Sequence, residues 1–313
     1  MYGDIKLYAG SACPELAQRV ADYIGTRLSR WNVTTFPNEN IFIRLNSSVR
    51  GQDVYLIQTH DRPVHNNIME MLIAIDCFKR DSAGRVTVVV PYMSYSQSDK
   101  KDQPRVPITA RLLADMIEVA GADRWVTIDL HAGQIQGFYK IPGDSLTALH
   151  IICGYIRKKN LDATVVTTDL GFAKGGRNYA EALGFSLAFV EKRRMGNAAG
   201  REALTLIGSV AGKDVLIVDD LVDTAGTVQQ AVEISLANGA RDVYLAFTHA
   251  VLSPPAIERL RGLPIKEIVT TDTLPIAPED RLPNMTVLTV AELLGEVIMR
   301  SHEGRSVGEL FNE

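Results

Sequence analysis

Short runs of apolar residues alternate along the chain with longer segments in which apolar residues recur every three or four positions. The short runs are typical of strands buried on both faces, and the longer segments are typical of amphipathic helices. In the first half the predicted strands are IKLYAG, VYLIQ and VTVVVPY, and the predicted helices start at about Cys13, span about Asn66 to Lys79, and start at Thr109. The second half continues with VVTTD, LAFVE, VLIVDD and VYLAFTH. This alternation predicts an α/β fold with mainly parallel sheets.

A weak internal repeat divides this series into two halves. GQDVYLIQ, which begins at Gly51, resembles GKDVLIVD, which begins at Gly212, and a predicted helix follows each of them. Two similar doubly wound domains would explain the repeat. The sequence IPGDS, from Ile141 to Ser145, offers the turn residues expected at a boundary. We therefore predict domains over residues 1–144 and 145–313, and the C-terminal tail could pack back on the first domain.

The segment VLIVDDLVDTAGT, from Val215 to Thr227, joins a buried strand to a helical pattern. A turn that opens a helix presents backbone N–H groups and the positive end of the helix dipole, so it favours an anion such as phosphate. Hydroxyl groups could add donors, and glycine permits a close backbone approach or a positive φ. The predicted phosphate-binding residues are Thr224, Ala225, Gly226 and Thr227.

Three carboxylates precede or enter this turn, namely Asp219, Asp220 and Asp223. Carboxylates at the end of the strand can accept hydrogen bonds from a sugar diol, so the pattern predicts a sugar phosphate as the ligand. Purely structural roles remain open at this point, because Asp219 and Asp220 could be ordinary acids at a strand end and Asp223 could cap the helix.

Composition narrows the class of protein without identifying it. The 313 residues are 46% hydrophobic and 22% charged, which is enough for two domains with their own cores. The net charge of −4 gives no indication of nucleic-acid binding. Cys13, Cys77 and Cys153 have no paired or metal-ligand spacing, as expected in a reducing compartment. No signal peptide or membrane-spanning run is apparent, so we expect a cytoplasmic protein without membrane contacts.

The aspartate-rich string resembles the phosphoribosyl diphosphate motif of type I phosphoribosyltransferases and ribose-phosphate diphosphokinases. VRGQDVYLIQ, NNIMEMLIAIDCFKR, RVPITARLLADMIEVAGADR, IDLHAGQIQGFY and VEKRR resemble the diphosphokinases in the same order. The resemblance implies two Rossmann-like, type I phosphoribosyltransferase-like domains. It also implies Mg²⁺-dependent transfer of a diphosphoryl group from ATP to the anomeric hydroxyl of ribose 5-phosphate.

The resemblance also implies roles for four further residues. His131, in IDLHAG, would meet the metal or the triphosphate, and Asp169, at the end of VVTTD, would bind the metal. Lys192 and Arg194 would be catalytic, in a stretch that Gly196, Asn197 and Gly200 should make mobile. Structural alternatives stay open: a structural histidine at His131, a helix N-cap at Asp169, and a solvated basic face around Arg194.

The residues that correspond to the family's nucleotide site depart from its pattern. Phe36-Pro37-Asn38-Glu39-Asn40 stands where the family has Phe-Ser-Asp-Gly-Glu, so two acids are replaced by amides. Tyr95-Ser96-Gln97-Ser98-Asp99 stands where it has Tyr-Ala-Arg-Gln-Asp, so an arginine is lost. In the diphosphate loop, Asp-x-Gly-Gly-x-x-Arg becomes the sequence from Asp169 to Gly175. The ATP-binding residues implied by the resemblance are Phe36, Asn38, Asn40, Gln97, Ser98, Asp99 and His131.

The resemblance implies a homohexamer built of dimers, in which Phe36 reaches the adenine of a neighbouring subunit. It also implies regulation by phosphate or ADP at residues that match Ser48, Arg50, Ser82 and Arg105. Two alternatives remain: a non-catalytic homologue that regulates an active synthetase, and a phosphoribosyltransferase.

Overall fold

The computed structural model describes residues 2–194 and 202–311 and divides the chain into two compact units. Unit 1 comprises Met1–Thr147, Thr273–Pro275 and Thr289–Glu313. Unit 2 comprises Ala148–Asp272 and Ile276–Leu288. The chain therefore first changes unit at Thr147, close to the boundary expected from IPGDS, and its last residues belong to the unit that contains its first.

Unit 1 is built on a five-stranded parallel sheet with the strand order β1-β4-β5-β6-β7 and a separate antiparallel hairpin of β2 and β3. The strands are β1 (Ile5–Ala9), β2 (Trp31–Thr35), β3 (Ile41–Leu45), β4 (Asp53–Ile57), β5 (Arg85–Val90), β6 (Arg124–Ile128) and β7 (Gly143–Leu146). The helices are α1 (Pro14–Tyr23), α2 (Val64–Arg80) and α3 (Thr109–Ala120), with a 3₁₀ helix over Gly133–Phe138.

Alternate residues of the unit 1 strands are buried on opposite faces of the sheet, which explains their continuous apolar runs. Val54 and Leu56 of β4 belong to a core cluster that includes Met71 of α2 and Leu113 of α3. Asp53 of β4 faces the opposite side of the sheet from Val54 and Leu56. A helix from the C-terminal end of the chain contacts Asp53 there. Both faces of the sheet are thus covered.

That C-terminal helix is α8 (Ala291–Glu303), and a 3₁₀ helix over Gly308–Phe311 follows it. Leu294, Val297 and Ile298 of α8 are fully buried. The helix approaches α1 closely at Gly295, where an added Cβ atom would lie 2.4 Å from Cδ1 of Tyr23. The end of the sequence therefore completes the core of unit 1.

Unit 2 contains a seven-stranded sheet with the order β10-β9-β8-β11-β12-β13-β14. Among the described residues of this sheet, only the β9 and β10 pair is antiparallel. The strands are β8 (Ala163–Thr167), β9 (Ser186–Arg194), β10 (Glu202–Ile207), β11 (Asp214–Val222), β12 (Val243–Ala250), β13 (Ile265–Thr271) and β14 (Met285–Leu288). The helices are α4 (Leu149–Arg157), α5 (Ala173–Leu183), α6 (Gly226–Ala237) and α7 (Ala256–Gly262), with a 3₁₀ helix over Pro278–Asp280.

The internal repeat corresponds to equivalent strands of the two units. The order β1-β4-β5-β6-β7 in unit 1 matches β8-β11-β12-β13-β14 in unit 2, and the two similar segments form β4 and β11. Asp53 at the start of β4 pairs with Arg85 at the start of β5, and Asp214 at the start of β11 pairs with Arg241 just before β12. The two similar halves and the mainly parallel α/β class are confirmed.

Several element boundaries differ from the prediction. Helix α2 begins at Val64 rather than near Asn66, β8 ends before Thr168, and β11 continues past the two aspartates to Val222. The β2–β3 hairpin was not predicted. Within the described residues, no helix combines the length and apolar character needed to cross a membrane.

Candidate functional site

The carboxyl ends of β8 and β11 bring three polar residues of unit 2 together. The two strands are parallel neighbours in which Thr167 is aligned with Val218, so the residues that follow them meet at one edge of the sheet. The hydroxyl group of Thr168 donates a hydrogen bond to Oδ2 of Asp219, and Asp220 N–H donates to Oδ1 of Asp219 at 3.0 Å. Thr168, which the sequence analysis did not single out, thus orients the first carboxylate of the predicted sugar site.

The electrostatic environment at this edge disfavours negative charge on Asp219. Burial of its carboxyl group, together with the negative charges of Asp220 and Asp169, raises the pKa of Asp219 well above its usual range. The hydrogen bond from Thr168 acts in the opposite direction and only partly offsets burial. A ligand that brings hydroxyl donors or positive charge would relieve this repulsion.

The turn after β11 opens α6 at the predicted phosphate site. Asp223, Thr224 and Thr227 are exposed, so their side chains are accessible to a ligand. The first N–H groups of α6 have no acceptors within the helix, as at every helix N-terminus. The geometry suits an anion at this end of the helix.

The structure excludes two of the alternatives that the sequence left open for this turn. Ala225, and not Gly226, takes the left-handed conformation, with φ 59°, while Gly226 is the first residue of α6. Ala225 is also the N-cap of α6 and makes no side-chain capping bond, so Asp223 does not cap the helix. Arg259 of α7 donates from Nη1 to the carbonyl oxygen of Thr224 at 2.8 Å and holds the turn. Sequence reasoning missed Arg259 because no local pattern links residues so far apart.

Asp169 follows β8 and is half-buried. Its Oδ1 atom accepts a hydrogen bond from Phe172 N–H at 3.2 Å, and Phe172 is the N-cap of α5. Asp169 therefore stabilises the turn before the helix without being its N-cap. An added Cβ at Gly171 would lie 2.9 Å from Oδ1 of Asp169, so the glycine lets the backbone pass close to this carboxylate.

The backbone of the predicted catalytic pair lies in a strand and not in a loop. Strand β9 continues to Arg194, where Lys192 pairs with Leu204 and Arg194 pairs with Glu202 of β10. The expectation that the basic run is itself a mobile loop is therefore wrong. The side chains of the basic run, and the predicted mobile residues Gly196, Asn197 and Gly200, lie outside the described residues.

Three of the predicted ATP-binding residues lie together on the β2–β3 hairpin of unit 1. Phe36, Asn38 and Asn40 form its exposed turn, which is closed by a bond from Phe36 N–H to the Asn40 carbonyl oxygen at 2.9 Å. Oδ1 of Asn38 accepts a hydrogen bond from the backbone N–H of Asn40 at 3.2 Å, so the Asn38 side chain stabilises the turn. The Phe36 and Phe42 rings lie 6.1 Å apart between centroids, and the Phe36 side chain remains exposed.

The other ATP-binding candidates of unit 1 differ in how available they are. Gln97 is exposed, whereas Asp99 is buried and accepts a hydrogen bond from Nε2 of Gln134. The carbonyl oxygen of Ser98 accepts a hydrogen bond from the N–H of Ala110, in the first turn of α3, at 3.2 Å. His131, just beyond β6, is exposed. Ser98 and Asp99 thus hold the segment in place, while Gln97 and His131 are open to a ligand.

Comparisons with known proteins identify the family. Residues 5–121 match the N-terminal domain of ribose phosphate pyrophosphokinase, and residues 191–312 match the phosphoribosyl synthetase-associated domain. The chain is 47% identical over 309 residues to the ribose-phosphate pyrophosphokinase of Caldanaerobacter subterraneus subsp. tengcongensis, with 98% of each chain covered. The chain belongs to the ribose-phosphate pyrophosphokinase family.

Other members of the ribose-phosphate pyrophosphokinase family agree with this assignment. The Bacillus subtilis ribose-phosphate pyrophosphokinase is 41% identical over 315 residues, with 99% of each chain covered. The crystal structure of phosphoribosylpyrophosphate synthetase from Mycobacterium smegmatis superposes with a TM-score of 0.92 at 40% identity, covering 96% of this chain and 99% of that one. The expected resemblance and the fold of two phosphoribosyltransferase-like domains are confirmed.

The donor set fits the magnesium ion that the pyrophosphokinase resemblance implies. Within residues 2–194 and 202–311, no group of three His, Cys, Asp or Glu side chains could hold a metal ion. Protein side chains alone therefore do not form a metal site in this part of the chain. Mg²⁺ commonly binds one or two carboxylates together with substrate phosphates and water, so the half-buried carboxylate of Asp169 suits such an ion. His131 is less suited to direct ligation, because Mg²⁺ prefers oxygen.

Proposed function

We propose that this chain is a ribose-phosphate pyrophosphokinase that transfers the diphosphoryl group of ATP to the anomeric hydroxyl of ribose 5-phosphate. The products are 5-phosphoribosyl 1-diphosphate and AMP. The observation that carries the proposal is the edge of unit 2 where Asp219 and Asp220 precede an exposed helix N-terminus. The match to proteins of this name along nearly the whole chain supports it.

The residues of unit 2 would hold ribose 5-phosphate by complementary chemistry. The N–H groups and hydroxyls from Thr224 to Thr227 bind the 5-phosphate, because they lie at the positive end of α6. Asp219 and Asp220 accept hydrogen bonds from the ribose hydroxyls, and Asp223 extends this acidic side of the turn.

Catalysis would rest on positioning and on stabilisation of charge. Lys192 and Arg194 stabilise the negative charge of the transferring phosphoryl groups. Asp169 would hold Mg²⁺. His131 would bind the triphosphate. When bound, Mg²⁺ neutralises phosphate charge and orients the donor.

The nucleotide would bind through residues of unit 1. Phe36 supplies an exposed ring for the adenine, while Asn38 and Asn40 supply amides that can both donate and accept. Gln97 contacts phosphate without the charge of an arginine. The hydrogen bonds of Ser98 and Asp99 hold the segment that contains Gln97 in place. We therefore expect weak ATP binding and a relaxed base preference. We also propose a cytoplasmic homohexamer built of dimers.

The test is to incubate the purified chain with ribose 5-phosphate, Mg²⁺ and ATP and to measure AMP and phosphoribosyl diphosphate. We expect both products in equal amounts, with a turnover number at least about 100-fold lower in Lys192→Ala and Arg194→Ala, since one lost transition-state contact costs this much. Ribose 5-phosphate binding should remain near that of the parent in both variants.

The replaced residues around Gln97 favour one second candidate, a non-catalytic partner of an active synthetase. Absence of turnover with ATP or GTP, in the parent and in the Gln97→Arg variant, would support that candidate and contradict the enzyme. Release of diphosphate from phosphoribosyl diphosphate only when a nitrogenous base is present would instead identify a phosphoribosyltransferase.

A further inference from the structure

A turn in the segment before α3 presents Gln97 to solvent. The N–H of Ser98 donates to the carbonyl oxygen of Tyr95 at 2.9 Å and closes a four-residue turn over residues 95–98, here called the Gln97 turn. Ser96 is buried in this turn, whereas Gln97 is exposed. The hydrogen bonds of Ser98 and Asp99 hold the C-terminal end of the turn. The position of Gln97 therefore depends on what holds the N-terminal end.

His60 anchors the residue that precedes the Gln97 turn. Its side chain is buried, and burial lowers the pKa of His60 to about 3, so the ring is neutral near neutral pH. The N–H of Ser94 donates to Nδ1 of His60 at 3.2 Å, and Oγ of Ser94 lies 3.1 Å from the same nitrogen. Because Nδ1 accepts from a backbone group, the ring hydrogen stands on Nε2. Ser94 is itself buried, so the backbone enters the Gln97 turn from a fixed point.

Tyr95 begins the Gln97 turn in a left-handed backbone conformation. Its φ of 63° lies in a region that residues with a side chain adopt at a cost in energy, and such a residue persists only where its surroundings hold it. The Tyr95 hydroxyl oxygen lies 3.2 Å from Nδ1 of His65, in the first turn of α2. The two rings are stacked, with centroids 6.3 Å apart and an angle of 20° between their planes. His65 thus helps to hold Tyr95 in its unusual conformation.

The contact between His65 and Tyr95 lies on the surface of unit 1 and not in its core. His65 is exposed, and Tyr95 is 36% exposed. Loss of a surface contact of this kind changes the stability of a fold little. Its effect is on conformation, because it fixes the first residue of the turn whose third residue is Gln97.

We propose that His65 and Tyr95 are positioning residues for the nucleotide: by holding the N-terminal end of the Gln97 turn, they keep the Gln97 amide where it bonds the donor phosphates. A hydrogen bond weakens steeply when its angle departs from linearity, so the contribution of Gln97 depends on where the turn holds it. The inference rests on the proposed function, because it takes the phosphates of ATP as the ligand of Gln97. It adds two residues that act on donor affinity through Gln97.

Titration calorimetry with the Mg²⁺ complex of α,β-methylene-ATP, in which the bond to be broken is blocked, measures nucleotide affinity without turnover. We expect His65→Ala to raise the dissociation constant about 3- to 10-fold, as for the loss of one ordinary hydrogen bond, and to leave the melting temperature near that of the parent. Asn66→Ala is the matched control, because Asn66 is an exposed polar residue in the same turn of α2, and it should leave both values unchanged. Unchanged nucleotide affinity in His65→Ala, or a melting temperature that falls in step with the affinity, would overturn the proposal.

Paired substitutions show whether the two side chains act through one contact. Tyr95→Phe removes the hydroxyl group and His65→Phe removes Nδ1, while both keep a stacked ring, so each should weaken nucleotide binding similarly. The double variant should bind no more weakly than either single variant, because the same contact is lost in all three. His65→Asn, whose amide can bond the Tyr95 hydroxyl, should recover at least part of the affinity lost in His65→Ala. Additive losses in the double variant, or no recovery with asparagine, would contradict the positioning role.

Turnover with ATP and binding of ribose 5-phosphate separate a failure of this inference from a failure of the proposed function. Binding of ribose 5-phosphate, which is assigned to unit 2, should be the same in all variants. A parent that turns over ATP with an affinity unaffected by His65 or Tyr95 would refute the positioning role alone. Nucleotide affinity that depends on His65 in a parent without turnover would refute only the enzyme, and a parent that binds no nucleotide would refute both.

Discussion

Asp219 is a residue for which binding and stability make opposite demands. Its raised pKa means that the folded protein holds the carboxyl proton more tightly than the unfolded chain does. The contribution of this residue to stability is therefore fully present below the pKa of the unfolded chain and is lost as the pH rises through the folded value. At neutral pH an ionised Asp219 is a cost to the fold.

We expect Asp219→Asn to raise the melting temperature at pH 7 and to weaken ribose 5-phosphate binding. Each kcal/mol of relieved charge burial should add roughly 2 to 4 °C. The amide keeps the shape of the side chain and can still bond Thr168. Calorimetric melting at pH 7 and pH 4 provides the check, since the gain should shrink at the lower pH. A variant less stable than the parent at pH 7 would contradict the assigned cost.

A substitution at Gly226 can test whether the turn before α6 binds a ligand. The fold does not require glycine there, because its φ is not left-handed and an added Cβ would lie 3.4 Å from its nearest neighbour, Nη1 of Arg259. We expect Gly226→Ala to fold with at least the parent's stability, since alanine favours a helix by up to about 1 kcal/mol. Its affinity for ribose 5-phosphate should fall at least about 10-fold, because the methyl group keeps the anion from the backbone.

Gly154 provides the matched control, because it lies within α4 of unit 2 with open space where a Cβ would stand. Gly154→Ala should stabilise the protein similarly and leave the affinity unchanged. Titration calorimetry measures the affinity of both variants for ribose 5-phosphate. Equal affinities of Gly226→Ala and Gly154→Ala would mean that no phosphate approaches Gly226.

The residues at the site were only partly predictable from the sequence. The turn before α6 was predicted correctly, because a local string of residue types specifies it, whereas β11 runs two residues past Asp220. Thr168 and Arg259 were missed, since their roles depend on a neighbouring strand and on a helix distant in sequence. The left-handed Ala225 was also missed, because the adjacent glycine is the residue that usually adopts that conformation.

At the scale of elements, equivalent strands of the two units carry equivalent ion pairs in different surroundings. Nε of Arg85 donates to Oδ1 of Asp53 at 2.7 Å, and Asp53 is fully buried while Arg85 is 14% exposed. Arg241 donates to Oδ1 of Asp214 at 2.8 Å, but Arg241 is 55% exposed. Arg85 also donates to the carbonyl oxygen of Ser301 in α8 at 3.0 Å.

We therefore expect Arg85→Leu to cost about 3 to 5 kcal/mol, because it leaves a buried carboxylate without its main partner. Arg241→Leu should cost less than Arg85→Leu, because Arg241 is 55% exposed and solvent screens its pair with the buried Asp214. Urea unfolding of both variants gives the two free energies. Similar losses of unfolding free energy in the two variants would show that burial does not determine how much each ion pair contributes to stability.

Elements with a simple hydrophobic period were predicted well, and the others were not. Strands β4 and β11 each contain a run of four apolar residues, and α3 has a strong amphipathic pattern. The β2 segment WNVTT mixes polar and apolar residues on a half-exposed hairpin, so its period is weak. The basic end of β9 resembles a solvated loop, and only its pairing with β10 makes it a strand.

At the scale of the molecule, the discontinuity of unit 1 makes it dependent on the end of the chain. Leu294, Val297 and Ile298 of α8 are buried in unit 1. Burying each such side chain contributes about 1.5 to 3 kcal/mol, so the three together approach the 5 to 15 kcal/mol by which a typical domain is stable. The interactions of Asp53 and Arg85 with α8 add to this dependence.

A fragment of residues 148–288 should therefore fold and unfold cooperatively, whereas residues 1–147 alone should not. Adding a peptide of residues 289–311 to the fragment of residues 1–147 should give that fragment a cooperative unfolding transition. Circular dichroism during heating provides the measurement. A stable, cooperatively folded 1–147 fragment would show that α8 is dispensable.

The placement of α8 also dictates an order of events during protein synthesis. A ribosome adds about 5 to 20 residues per second, so roughly 7 to 30 s pass between the emergence of residue 147 and that of residue 289. All of unit 2 emerges within this interval and can fold. The older, N-terminal part of the nascent chain meanwhile lacks the helix that covers Asp53 and its neighbours. The first half to be translated is thus the last to be completed, and its uncovered sheet face is where a chaperone would be needed.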